Sequence, residues 1–211
     1  MTHTLNRRGL SETRTGEEMV VLFMVQRQEK DKKLSGMVPI LETVLKYKPA
    51  NIIGAPMGLT EEQIMKLVPR GGIVTAVFNN QEDVRKIIAE IKEKKLGISM
   101  VLSGLFSDVR CLCRANELKE HTYNISLGIF GKTEKLPDGK TLEIVTQCGH
   151  ALISSHLVHD VLKKIKRGKM TPEEGAKVLI KPCVCGIGNP QRMEKLLAEM
   201  ASVSRPLSSF A

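Results

Sequence analysis

The chain has 211 residues, 42% of them apolar, and a formal net charge of +9 from 32 basic and 23 acidic side chains. That is enough for one large domain, or one with an appendage, around a real core, and it excludes a disordered chain. No apolar run approaches the roughly 20 residues of a membrane-spanning helix. Aromatics make up only 3%, with no tryptophan, so the stacking platforms of a single-strand nucleic-acid binder are largely missing.

The opening Met1–Gly9 has no apolar stretch after its charges, so it does not read as a secretory signal, and the cytoplasm is the expected location. Residues 1–17, with His3, Arg7, Arg8 and Arg14, read as a polar arm that is either solvated or packed over a site or another subunit. An unbroken apolar run, Met19 to Val25, predicts a buried strand. A helix is expected from Leu34 to Lys48, ended by Pro49, then a short strand at Asn51–Gly54. Gly54-Ala55-Pro56-Met57-Gly58 is a turn, placed where ligand contact is also natural. Thr60-Glu61-Glu62-Gln63 is a capping box opening a helix toward Pro69.

Ile73–Phe78 predicts the next strand, and Asn80 caps a helix whose Val84, Ile87, Ile88 and Ile91 recur at helical spacing. Gly97 ends that helix and Ile98–Leu102 follows as a strand. The unit implies a strand–helix–strand crossover with parallel strands. A helix is expected over Ser107–Leu118. Tyr123–Phe130 and Thr141–Thr146 then predict a hairpin turned at Pro137-Asp138-Gly139. The last third reads as helical. Its signals are the apolar stripe Ile153, Leu157, Val161 and Ile165, the Thr171-Pro172 helix start, and a final helix after Asn189-Pro190. Methionines 19, 24, 37, 57 and 65 read as core filler.

The expected fold is therefore mixed α and β: a central mixed sheet of about five strands with flanking helices and a helical C-terminal segment. The implied organisation is an arm over 1–17, an α/β domain over 18–146, a helical segment over 147–203 and a tail over 204–211.

The chemistry concentrates in the cysteines. Five is an odd number, and a chain of this size can build its own core, so reduced thiols fit better than a disulfide framework. Cys148-Gly149-His150 and Cys183-Val184-Cys185-Gly186-Ile187-Gly188 are two glycine-containing loops that each feed a helix. Free N–H groups and a helix N-terminus favour thiolate over thiol. The two intervening helices would return the chain near its start, so Cys148, Cys183 and Cys185 could meet as a three-thiolate site. Soft thiolates select iron–sulfur centres, zinc or copper(I). Cys-x-Cys is tighter than the usual zinc pairing, which favours an iron–sulfur cluster, [4Fe-4S] among the possibilities, with zinc as the alternative. His150, Cys111 or Cys113 could supply a fourth ligand, and His150 could instead serve as the acid/base group of catalysis. Gly149, Gly186, Gly188 and Arg192 would cradle the cofactor or an anionic group at the helix start.

Buried free cysteines, or a metal-free nucleophile at Cys148 or Cys185, are the competing readings. Cys111 and Cys113 fit core packing. His156 and His159 share a helix face and fit a boundary position as well as a metal site. The function expected is a redox, lyase or cofactor-maturation role built on the metal. The alternative is a non-enzymatic subunit that docks an acidic protein or nucleic acid through Lys163–Lys169. An anionic small-molecule substrate, an acidic protein partner and a homo-oligomer are the partners this charge suggests.

Overall fold

An apolar run stays out of water along its whole length only if both faces of its strand are covered. Met19–Met24 forms such a strand, β1, buried from Met19 through Phe23. The structure, a computed structural model, describes residues 7–11 and 16–202. His3, Arg14 and the expected tail at 204–211 lie outside the described residues.

After β1 come the short helix α1 (Lys30–Lys33), α2 (Met37–Lys46), β2 (Asn51–Ile52) and α3 (Glu61–Gly71). Then follow β3 (Ile73–Phe78), α4 (Gln81–Lys94), β4 (Ser99–Ser103) and α5 (Phe106–Ala115). The chain ends in α6 (Gly139–Val145), α7 (Ser155–Lys166), α8 (Pro172–Ile180) and α9 (Pro190–Ser202). The cap signals work as the sequence implies. Thr60 and Thr171 form capping boxes, and Asn80 accepts from the Asp83 N–H.

The sheet has four strands in the order β2-β3-β1-β4, and every neighbouring pair is antiparallel. This corrects the expected mixed sheet of about five strands. β3 and β4 do run the same way, as a crossover requires, but β1 lies between them with Val21 opposite both Ala76 and Leu102. The order is that of the split β-α-β arrangement of ferredoxin-like folds. The predicted hairpin is absent. Thr141–Thr146 lies mostly in α6, because Asp138 accepts from the Thr141 N–H as a helix cap instead of turning a hairpin. Tyr123–Phe130 is left without a strand partner among the described residues.

Alternation divides the sheet between two cores. Met19, Val21, Phe23, Val74, Ala76 and Phe78 pack with residues of α2, α3 and α4. Val20 and Val77, from the opposite face, join Ile144, Val158, Val161, Leu179, Met193 and Leu197 of the C-terminal helices. Ile144 belongs to that second core, so the helical segment expected from residue 147 begins with α6. Met19 and Met37 fill the first core, while Met57 is exposed. No helix among the described residues is long and apolar enough to cross a membrane.

Candidate thiolate site

The two cysteine loops lie on the second face of the sheet, against β2 and β3. Gly54 donates its N–H to the Val184 carbonyl at 3.1 Å. The Asn51 amide donates to Gly188 O at 2.9 Å, and the Thr75 hydroxyl donates to Cys185 O. Gly186 has φ +68° and passes so close to β2 that a Cβ there would stand 2.0 Å from the Ile52 carbonyl carbon. Its role is close approach of backbone to backbone. Gly188 is equally confined, between Ile180 and Met193.

The loops converge. Cys183 and Cys185 have their sulfurs 4.0 Å apart, and Cys185 Sγ is 3.6 Å from His150 Nδ1. Cys148 hydrogen-bonds to the Cys183 thiol. Cys148 and Cys183 are buried, Cys185 is half-buried and His150 is exposed, so the cluster opens to solvent on the histidine side. Each sulfur also receives a backbone N–H: Gly188 donates to Cys183 at 3.3 Å, Leu152 and His150 to Cys148, and Ile187 to Cys185. As the side chains stand, no group of three or more His, Cys, Asp or Glu among the described residues surrounds a single metal position. The donors are adjacent without being closed around one point.

These contacts set the charge state. The Cys183 thiol donates to Cys148 and, against the opposing effect of burial, holds it down to about 5, helped by the two N–H groups and His150. The same donor, with Ile187 N–H and His150, lowers Cys185 to about 6. Cys183, hydrogen-bonded to both, is pushed up. One S–H can serve only one acceptor at a time, so the lowered Cys148 and Cys185 and the raised Cys183 titrate as one coupled set in which Cys183 is the member that holds its proton most strongly. Helix dipoles contribute less than the sequence implies. Cys148 sits in a turn after α6, and α7 starts only at Ser155, capped by the Ser154 hydroxyl.

What binds the two loops together is Arg7 of the polar arm, with Gln147 and Glu18. Arg7 donates to Gln147 O and to Ile187 O, both at 3.0 Å, so one guanidinium bridges the carbonyl before Cys148 and one two residues after Cys185. Gln147 Oε1 accepts from the Asn189 N–H at 3.0 Å, a second bridge. Glu18, its side chain 1% exposed, orients Arg7 at 2.6 Å and Arg192 at 2.9 Å. Burial alone would raise the Glu18 carboxyl, but the Arg7 and Arg192 charges hold it below the usual carboxylate range. The sequence signal was the arm's arginines, for which packing over a site was one of two readings; Glu18 and Gln147 carried none.

The remaining candidates stand apart or are engaged. Arg192 pairs with Glu18 and reaches Glu143 and the Arg8 carbonyl, rather than standing free for an anionic substrate. Cys111 and Cys113 are on α5, which follows β4 at the opposite edge of the sheet from the cysteine loops; Cys113 is raised by burial. His156 is exposed, and His159 faces Asp138 and Thr141. The α7 end is an exposed basic surface in which Lys164 pairs with Asp160. The chain matches no protein-family model, no curated protein and no solved structure.

Proposed function

We propose that this chain is a metal protein whose centre is held by Cys148, Cys183 and Cys185, with His150 as the fourth donor. The observation that carries the reading is the spacing. Two sulfurs on one tetrahedral ion, each about 2.3 Å from it, are separated by about 3.8 Å, and a sulfur and a histidine nitrogen by about 3.6 Å. The distances here are 4.0 Å and 3.6 Å. Burial of Cys148 and Cys183 supports retention of the metal, and the exposed His150 supports an exchangeable position where a substrate or proton could enter.

That spacing favours a single ion, zinc or iron. The N–H groups aimed at all three sulfurs favour the second occupant, an iron–sulfur cluster, because hydrogen bonds to sulfur are the usual means of tuning one. With a cluster, three thiolates leave one iron to His150 or to substrate, which suits a redox, lyase or cofactor-maturation role. With zinc, a binding subunit that uses the basic α7 end is the better-matched role.

The test is purification without oxygen, followed by iron, zinc and acid-labile sulfide per chain and a visible spectrum. About one metal ion per chain without sulfide supports the mononuclear centre, and iron with equimolar sulfide supports the cluster. Loss of the metal in Cys148→Ser and Cys185→Ser is expected in both cases. A metal-free protein, unchanged by supplying iron and sulfide or zinc, overturns the proposal and leaves a reactive-thiol site.

A further inference from the structure

The sheet has two edges, and they are treated differently. The β2 edge is two residues long and is covered by the Cys183–Gly188 loop. The β4 edge, Ser99-Met100-Val101-Leu102-Ser103, pairs with β1 on one side, and no strand among the described residues pairs with the other. It carries no charge, no proline and no bulge, the devices that ordinarily guard an open edge.

The chain also holds an unused strand. Between α5 and residue 133 it runs without regular structure, a length that is uncommon in a compact domain and usually functional. Within it Tyr123, Ile125, Leu127 and Ile129 alternate with Asn124, Ser126 and Gly128, the period of a strand with one apolar face. That face is left largely in water: Tyr123 is 71% exposed, Ile125 55% and Leu127 80%. The base of the segment is anchored where Tyr123 meets the Phe106 ring edge-on at 5.7 Å.

We propose that residues 121–130 of one copy add as a fifth strand to β4 of a second copy, and reciprocally, so that the protein is a two-fold dimer. A reciprocal exchange satisfies the open edge and the apolar face of both copies with one symmetry operation. The size is that of a small, concentration-dependent interface. At about 200 Å² for a large apolar residue, those exposures amount to roughly 400 Å² per copy. That is about 800 Å² for the pair before the covered surface of β4 is added, at the weak end of specific interfaces. The fifth strand that the sequence predicts is then supplied in trans. The inference is independent of the metal reading.

The experiment is light scattering on the full chain across 1–100 μM, with amide hydrogen exchange at both ends of that range. The expected result is a dimer with slow exchange over both 99–103 and 121–130, protection being lost together on dilution. Leu127→Asp and Ile125→Asp lie on an exposed segment and leave the fold intact; each should weaken association at least tenfold. Val101→Pro at the edge should do the same, and if it unfolds the chain the Leu127 and Ile125 variants suffice. A monomer at 100 μM overturns the proposal, as does a dimer indifferent to those two variants. Protection confined to 121–130 overturns docking on β4 in favour of pairing between the two 121–130 segments. A monomer that captures an unrelated chain through residues 121–130 makes the segment a heterologous docking strand and also overturns it.

Discussion

The loop around Cys183–Asn189 and the segment at 121–130 are both irregular, yet they are opposites. In the first, Cys183 and residues 186–189 are buried, and successive backbone groups go to Asn51, Thr75, Gly54, Arg7 and Gln147. In the second, nearly every residue is exposed. A buried irregular loop must find partners for all its backbone polar groups, and here they come from side chains and from a sheet edge. An exposed segment has water for its backbone and nothing for its apolar side chains. The first therefore has the rigidity that positions reactive thiols, and the second has the unsatisfied surface that a partner copy can use.

Glycine substitutions should break this comparison most sharply. Gly186→Ala needs both a left-handed backbone and space already held by Ile52, and should cost more than about 3 kcal/mol or abolish folding. Gly128→Ala also has positive φ, at +101°, but has nothing within 4 Å, and should cost about 1 kcal/mol or less. Denaturant unfolding of the two variants side by side measures the contrast. Equal losses would mean that the cysteine loop is not held by its approach to β2.

The ion cluster behind the loop comes next. Glu18→Ala leaves Arg7 and Arg192 without their shared carboxylate and should cost about 3–5 kcal/mol. Arg7→Lys cannot bridge two carbonyls and a carboxylate with one ammonium, and should recover only part of the loss of Arg7→Ala. Stability measured against pH gives the sign. The folded Glu18 carboxyl lies below its unfolded value, so its stabilisation is complete above the unfolded value and is lost as pH falls through the folded one. The unfolding midpoint should decline from about pH 5 downward, and in Glu18→Gln that decline should be shallower. The smallest effect belongs to the 121–130 segment: Leu127→Asp should shift the stability of the isolated chain by less than about 0.5 kcal/mol while acting on association.

Much of this was legible in the residues. Capping boxes, apolar spacing and the unbroken run at 19–25 lead to the main helices other than α6 and to four of the strands. Strand neighbours were not legible, because β1 inserts between β3 and β4 by pairings that no local pattern encodes. The hairpin prediction failed where Asp138 could cap a helix or start a turn. Burial of Ile144 and Thr141 against the C-terminal helices favoured the cap. Convergence of the cysteine loops could be anticipated from a helix pair returning on itself. Packing of the Arg7 arm over a site was one of two readings, but its partners were not legible, since they are carbonyls 140 and 180 residues away along the chain.

X-ray absorption at the metal edge of protein purified without oxygen tests the thiolate centre most directly. Three sulfurs at about 2.3 Å and one nitrogen at about 2.0 Å are predicted, the nitrogen disappearing in His150→Ala and one sulfur in Cys185→Ser. A shell of oxygen and nitrogen alone, or no bound metal, would contradict it.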